Sequence, residues 1–135
     1  MGTRCLTIIH DDGVPLISMY RQYDGYLSGH GLELAEFLDG MRIVNGLGID
    51  RKHIANGAGC LAAQMIAKFK TAPGGFYIHH IPDSPEDLED VDYVYNVMVD
   101  SGEITVAVER SRHFRGTVPE FFDYCATAGK IRMGE

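Results

Sequence analysis

The chain of 135 residues is poor in the features that mark several common protein classes. It has no tryptophan, and its three cysteines, Cys5, Cys60 and Cys125, are too widely spaced for a CxxC zinc motif or a disulfide framework. No apolar run approaches the roughly 18 to 20 residues that span a bilayer, and the first residues lack the apolar core of a secretion signal. The sequence therefore predicts a single domain, residues 1–135, with free thiols, a cytoplasmic location and no contact with a membrane.

Positive charge is also scarce, because 12 Lys and Arg stand against 19 Asp and Glu, and the net charge is −7. Duplex nucleic acid is therefore an unfavourable partner, since proteins that bind it carry a basic surface. Most of the acidity lies in one ten-residue segment, which contains Asp83, Glu86, Asp87, Glu89, Asp90 and Asp92. We expect this acidic segment to be a solvated loop. The rest of the chain is close to neutral, so the charge does not exclude a small anionic ligand bound elsewhere.

Alternating apolar residues and turn signals predict five strands. The predicted ranges are residues 4–10, 15–23, 76–81, 93–99 and 103–110. Asp11-Asp12-Gly13 and Asp100-Ser101-Gly102 are typical of tight hairpin turns. Because hairpins dominate, we expect an α+β fold in which an antiparallel sheet of about five strands carries two to three helices on one side.

Helical spacing of apolar residues predicts helices at residues 29–39, 58–70 and 118–127. Ser28 is the candidate cap of the first helix. Thr117 and Glu120 have the spacing of a capping box at the start of the last helix, which Gly129 should end.

A cluster of aromatic, arginine and glycine residues follows the second predicted strand. It covers residues 20–26, Tyr-Arg-Gln-Tyr-Asp-Gly-Tyr, and continues in Gly29-His30-Gly31. Arginine pairs with phosphate, tyrosine offers a stacking face and a hydroxyl, and glycine lets backbone N–H groups approach a ligand. A helix that begins near Gly29 would also present N–H groups to an anion. The same pattern is typical of an edge strand and a turn whose rings simply pack, and both interpretations stay open.

A second glycine-rich region comprises Asn45-Gly46 and residues 56–59, Asn-Gly-Ala-Gly. It matches neither the phosphate-binding loop of NTPases nor the dinucleotide fingerprint. Two interpretations remain: an anion-binding turn, or the entry to the helix at residues 58–70 with Asn56 as its cap.

The remaining candidates for chemistry are weak. Cys60 lies in the first turn of a helix, where a thiolate is stabilised, but the sequence pairs no histidine with it. His79 and His80 are neighbours on a predicted strand and should point to opposite faces, which disfavours a shared metal ion. The basic stretch at residues 110–115 could meet phosphates or the acidic segment, or be a solvated connection. We therefore predict no catalytic residue, no metal and no cofactor.

Residues 1–75 resemble a group of small phage-encoded proteins. The resemblance rests on Thr3-Arg4, the Tyr-Arg-Gln-Tyr-Asp-Gly-Tyr element at residues 20–26, Gly29-His30-Gly31, and the Asn-Gly turns at residues 45 and 56. The commonest form of the pattern has proline after Asp-Gly-Tyr, whereas this chain has Leu27. The chain is also similar to the anti-CBASS sponges, phage proteins that bind cyclic nucleotide signals of bacterial immunity. That resemblance implies binding without chemistry and a homo-oligomer, a dimer or tetramer, with pockets at or near subunit interfaces.

The residues and the resemblance together predict a phage anti-defence protein in the host cytoplasm. It would bind and sequester a cyclic nucleotide, foremost a cyclic dinucleotide, without cleaving it. The residues predicted to bind this ligand are Thr3, Arg4, Tyr20, Arg21, Gln22, Asp24, Gly25, Tyr26, Gly29, His30, Asn45 and Asn56. Two alternatives stay open: a phage factor that engages a host protein through the acidic segment, and a small nucleotide hydrolase.

Overall fold

The computed structural model describes residues 2–46, 53–88 and 90–134. In chain order the strands are β1 (Cys5–Asp11), β2 (Val14–Arg21), β3 (Arg42–Val44), β4 (Ile54–Asn56), β5 (Phe76–His79), β6 (Tyr93–Asp100), β7 (Glu103–Arg110) and β8 (Phe114–Thr117). The helices are α1 (Leu32–Leu38), α2 (Gly57–Phe69) and α3 (Val118–Gly134). A π-helical turn (Leu27–Gly31) leads into α1, and a 3-10 turn (Pro85–Leu88) lies between β5 and β6.

Six strands form the main sheet in the order β5-β2-β1-β6-β7-β8. All neighbours are antiparallel except β1 and β6, which run parallel at the centre. The predicted α+β class is confirmed. The parallel pair arises because β6 returns to the sheet after a long crossover, whereas the hairpins around it are antiparallel. The pair β3 and β4, which forms a separate parallel two-stranded sheet, and the edge strand β8 were not predicted.

The two hairpin turns agree with the sequence. Asp12 and Gly13 have φ values of 48° and 84°, and Ser101 and Gly102 have φ values of 51° and 83°. Two consecutive residues in the left-handed region are what a two-residue hairpin turn requires. Glycine adopts this conformation freely and aspartate tolerates it, so the Asp12-Gly13 turn is encoded locally, and Gly102 serves the same purpose in the second turn.

The helices cover one face of the main sheet and form the larger core with it. Alternate residues of β1, Cys5 and Ile9, point towards the helices, and the fully buried Leu34, Leu61 and Phe121 meet them from α1, α2 and α3. This alternation is the two-residue period of a strand with one face buried.

The acidic segment lies over the other face of the sheet. Leu88 and Val91 pack against Leu6, Ile8 and Val94 in a smaller apolar cluster. The acidic side chains of the segment that the structure describes are exposed, as expected, while Glu89 is outside the described residues. The segment is therefore anchored by its apolar residues rather than being only a solvated loop.

One predicted helix end agrees with the structure and three differ. The capping box is confirmed, because Thr117 N donates to Glu120 Oε1 over 2.8 Å and Glu120 N donates to Thr117 Oγ1 over 3.3 Å. The prediction that Gly129 ends this helix is wrong, since α3 continues to Gly134. Ser28 caps nothing and lies inside the π-helical turn. Asn56 makes no capping bond to α2 either.

Candidate ligand-binding site

A cavity of about 780 Å³ lies where the end of β2 meets α1, the end of α2 and the segment that leads into β5. Its size falls within the range of small-molecule binding sites. It is lined by Arg21, Tyr23, Glu33, Glu36, Phe37, Met41, His53, Lys68, Phe69, Thr71, Ala72, Gly74, Gly75 and Phe76.

The cavity combines aromatic rings with charges of both signs. Phe69 lies between Phe37 and Phe76, with ring centroids 6.1 and 6.0 Å apart, and Tyr23 is 55% exposed. Such a wall suits a flat, partly apolar ligand group. Two cations and two anions line the cavity: Arg21, Lys68, Glu33 and Glu36. Because these charges balance, a charged ligand is attracted only by the individual groups that it contacts.

Arg21 is the most firmly held of these charged groups. Its Nε donates to Tyr23 O over 2.9 Å, and its Nη1 donates to Glu33 Oε2 over 2.6 Å and to His30 Nδ1 over 3.2 Å. The side chain is 20% exposed. Its second terminal nitrogen, Nη2, has no partner within the part of the chain that the structure describes. Arg21 thus offers two N–H groups of a fixed guanidinium to a ligand.

His30 lies behind Arg21 and is fully buried. Its Nε2 is 2.8 Å from Thr7 Oγ1, and its ring contacts Phe69 and Tyr95 at centroid distances of 5.2 and 5.3 Å. Burial, together with the neighbouring positive charge of Arg21, lowers the pKa of His30 to about 3. His30 is therefore neutral at physiological pH.

The turn after β2 is tied to the core of the protein. Gly25 N donates to Thr3 O over 2.9 Å, and Tyr95 Oη donates to Gly25 O over 2.7 Å. A side chain at position 25 would lie 2.9 Å from Cys5 Cβ and from Thr3 O, so glycine is required by this close approach. Of the two interpretations of this region, packing accounts for Gly25 and Thr3.

The start of the first helical region does not form the expected anion site. His30 N donates to Asp24 O over 2.7 Å, and Gly29 N and Gly31 N donate to Tyr26 O over 3.0 and 3.3 Å. The expectation that N–H groups near Gly29 point at a ligand is therefore wrong. The π-helical turn closes on itself and uses these donors internally.

The other residues predicted to bind a ligand do not line the cavity. Gln22 N donates to Gly75 O at its edge. Tyr20 lies on the opposite face of the sheet, where its ring is 6.1 Å from those of Tyr77 and His79. Arg4 N donates to Asp92 Oδ2 over 3.0 Å.

Asp24 and the two asparagines also lie away from the cavity lining. Tyr26 Oη donates to Asp24 Oδ1 over 3.4 Å. Asn56 Oδ1 accepts a hydrogen bond of 2.8 Å from Gly46 N, which brings the two Asn-Gly turns together beside the β3–β4 sheet. Leu47 and Gly48, which follow the first of these turns, lie outside the described residues.

Several lining residues were missed in the sequence. Phe37 and Phe69 fit the apolar stripes of their helices and gave no separate signal. Glu33 and Lys68 resemble ordinary solvent-facing charges. They come together only because β5 pairs with β2, with Phe76 opposite Arg21, and this brings the end of α2 beside the end of β2. Local sequence does not encode such a long-range pairing.

The described cysteines and the His79-His80 pair do not line the cavity. Cys60 Sγ donates to Gln64 Oε1 over 3.3 Å, and burial raises the pKa of Cys5 and of Cys125 to about 12. His79 and His80 do not point apart as expected: their rings stack at 4.2 Å, because β5 ends at His79. Among the described residues no group of three His, Cys, Asp or Glu could hold a metal ion.

Fold and site together define an α+β protein with an aromatic, charged cavity at one end of its main sheet. No protein-family model, curated protein or solved structure matches this chain. None of the helices in the described ranges is long and apolar enough to cross a membrane.

Proposed function

We propose that this protein binds a small nucleotide in the cavity and withholds it from other proteins without cleaving it, and that a cyclic dinucleotide is its ligand. The observation that carries the proposal is the fixed guanidinium of Arg21, with two N–H groups that no described residue binds, beside the exposed ring of Tyr23. A guanidinium fork and a ring are the two groups that recognise a phosphate and a base.

The cavity offers a partner for each part of a nucleotide. Arg21 Nη2 donates to a phosphate oxygen, and Lys68 adds a second positive charge to the cavity lining. Tyr23 and Phe37 give stacking faces for a base. The carboxylate of Glu36 accepts from a base amino group or a ribose hydroxyl. Sequestration requires only groups that bind the ligand, such as these.

The negative charge of Glu33 makes the site selective. Glu33 occupies one side of the Arg21 guanidinium, so a phosphate shares the arginine with a carboxylate. The carboxylate of Glu33 repels a phosphate bound beside it. Inorganic phosphate gains nothing that offsets this repulsion, whereas a nucleotide also gains the free energy of stacking its base. The proposal therefore favours cyclic nucleotides over inorganic phosphate.

The same function places the protein in the cytoplasm of an infected host cell, as a homo-oligomer that removes an immune signal. The edge of the sheet at β5 supports the oligomer. The large apolar side chains that are exposed in the described residues lie on β2, on β5 or just after β2, and include Leu16, Tyr77 and Ile78 at 45%, 45% and 62% exposure. Tyr77 lies on the face of Tyr20, whereas Ile78 lies on the face of Phe76, so a second copy against Ile78 lies beside the cavity that Phe76 lines.

Side chains rather than strand pairing would join the copies. Lys70 Nζ donates to Phe76 O over 2.7 Å and so protects the outer edge of β5. Light scattering should give the mass of a dimer or tetramer, and Ile78→Lys should shift it towards the monomer. A monomeric mass at every concentration contradicts the proposed oligomer.

Calorimetric titration with cyclic di-AMP, cyclic di-GMP and inorganic phosphate tests the binding function. We expect one of the cyclic dinucleotides to bind far more tightly than phosphate. Arg21→Lys should weaken that binding at least tenfold, because lysine lacks the fork that Tyr23 O and His30 hold. Arg112→Lys, at an exposed position outside the cavity, is the matched control and should bind as the wild type does. If Arg21→Lys binds the ligand as tightly as Arg112→Lys does, the ligand binds outside the cavity.

A phage factor that engages a host protein through the acidic segment is the second candidate. Its support is the row of exposed acids, including Asp83, Glu86 and Asp87, on a segment that Leu88 and Val91 hold in place. Absence of heat in every nucleotide titration favours this candidate over sequestration.

A further inference from the structure

His30 fixes the charge state of the hydrogen-bond network behind the cavity. Arg21 carries only donors, so His30 Nδ1, 3.2 Å from Arg21 Nη1, must accept that hydrogen bond. The imidazole is therefore neutral and carries its proton on Nε2. That proton is donated to Thr7 Oγ1 over 2.8 Å.

The surroundings of the ring allow it little freedom. Phe69 and Tyr95 contact it on two sides, and Tyr95 is itself held by its hydrogen bond to Gly25 O. The charged group that faces the ring is Arg21 on β2, and Glu33 on α1 binds the same guanidinium. A protonated ring would place a second positive charge against Arg21 without water to screen it.

We propose that Thr7 and His30 are positioning residues, which hold the Arg21 guanidinium in the orientation that serves the cavity without touching the nucleotide. Thr7 Oγ1 accepts from Nε2 and so stabilises the tautomer whose Nδ1 accepts from Arg21. In the other tautomer an N–H group would face Arg21 Nη1, and the two donors would repel each other. With Tyr23 O and Glu33, His30 holds three of the five guanidinium N–H groups and leaves the pair on Nη2 for a ligand.

The inference rests on the proposed function for its binding readout, but its structural part is measured without ligand. ¹⁵N NMR of the imidazole in the wild type should show an unprotonated Nδ1 and a protonated Nε2 between pH 8 and pH 5. The terminal nitrogens of Arg21 should rotate slowly. Thr7→Val keeps the shape of the side chain and removes the acceptor, so we expect mixed tautomers and faster rotation of the Arg21 terminal nitrogens. Thr7→Ser keeps the hydroxyl and should retain the wild-type spectrum.

Binding of cyclic di-AMP and cyclic di-GMP provides the functional readout. Thr7→Val should weaken the binding of the retained cyclic dinucleotide about tenfold, and Thr7→Ser less than threefold. An Nδ1–H tautomer, titration of His30 between pH 5 and pH 8, or Thr7→Val with wild-type affinity and slow Arg21 rotation overturns the positioning role. Absence of nucleotide binding by the wild type overturns the proposed function instead, and the tautomer and the Arg21 rotation then still decide the role of His30.

Discussion

At the scale of single residues, one strand residue acquires several partners that its neighbours in sequence do not suggest. Arg21 was predicted to bind a ligand from its residue type, and it does line the cavity. Glu33 and His30, which hold it, lie 12 and 9 residues further along the chain. The residue type therefore indicated that Arg21 could bind a ligand. Its partners Glu33 and His30 could not be predicted, because the folded chain alone brings them to Arg21.

The exposed ring of Tyr23 should contribute to binding by stacking. Replacement by leucine removes the ring, and replacement by phenylalanine keeps it. We expect Tyr23→Leu to weaken binding of the retained cyclic dinucleotide by about 1 to 3 kcal/mol, the usual effect of one base–aromatic stack. Tyr23→Phe should bind within threefold of the wild type. Calorimetry measures both, and an equal loss in the two variants would assign the effect to the hydroxyl instead.

The buried imidazole of His30 should make stability fall in mild acid. Its pKa is about 3 in the folded protein against 6.5 for an ordinary histidine, so below pH 6.5 the unfolded chain takes up a proton that the folded protein refuses. The contribution is complete above pH 6.5 and is lost as the pH falls towards 3, at about 1.4 kcal/mol per pH unit.

Urea unfolding at pH 7.5, 6.0 and 5.0 measures this slope. His113→Gln, at an exposed histidine, should keep the wild-type slope. An unfolding free energy that is constant between pH 6.5 and pH 5 would show that His30 takes up its proton in the folded protein.

At the scale of elements, some signals between neighbouring residues were read correctly, whereas the caps at Ser28 and Asn56 and the helix end at Gly129 were not. The hairpin turn at Asp12-Gly13 and the capping box of α3 depend on residues at most three apart, and both are confirmed. The β3–β4 sheet was missed because each strand has only three residues, too few for a periodic pattern. Asn56 has the residue type of a helix cap, but its side chain binds Gly46 N instead.

The capping box of α3 gives an element-scale prediction. Thr117→Ala removes the oxygen that accepts from Glu120 N and should destabilise the protein by about 1 kcal/mol. Thr117→Ser keeps a hydroxyl at the same position and should recover most of this loss. Urea unfolding compares the two, and equal stability of both variants would mean that the box adds nothing to folding.

At the scale of the whole molecule, the sheet separates the acidic segment from the cavity. The segment packs on the face formed by Leu6, Ile8 and Val94, whereas the helices and the cavity lie at the other face and its end. The net charge of −7 therefore says little about the potential around Arg21. The fold class followed from hairpins and helical stripes, but the cavity depends on the pairing of β5 with β2 and could not be derived from sequence.

Neutralising the acidic segment tests this separation. We expect a variant with Asp83→Asn, Glu86→Gln, Asp87→Asn and Asp90→Asn to bind the cyclic dinucleotide within about threefold of the wild type at 0.15 M salt, where screening acts over about 8 Å. Titrations of the two proteins at the same ionic strength measure the difference. A tenfold gain in affinity would mean that the segment's field reaches the cavity.

The most direct test of sequestration is the identity of the nucleotide that the protein releases. The protein is incubated with cyclic di-AMP and cyclic di-GMP, freed of unbound ligand, denatured by heat, and the supernatant is analysed by chromatography with mass detection. The proposed function predicts that one cyclic dinucleotide is recovered intact, in stoichiometric amount from the wild type and in strongly reduced amount from Arg21→Lys. Recovery of a linear or cleaved product, or of no nucleotide at all, would contradict it.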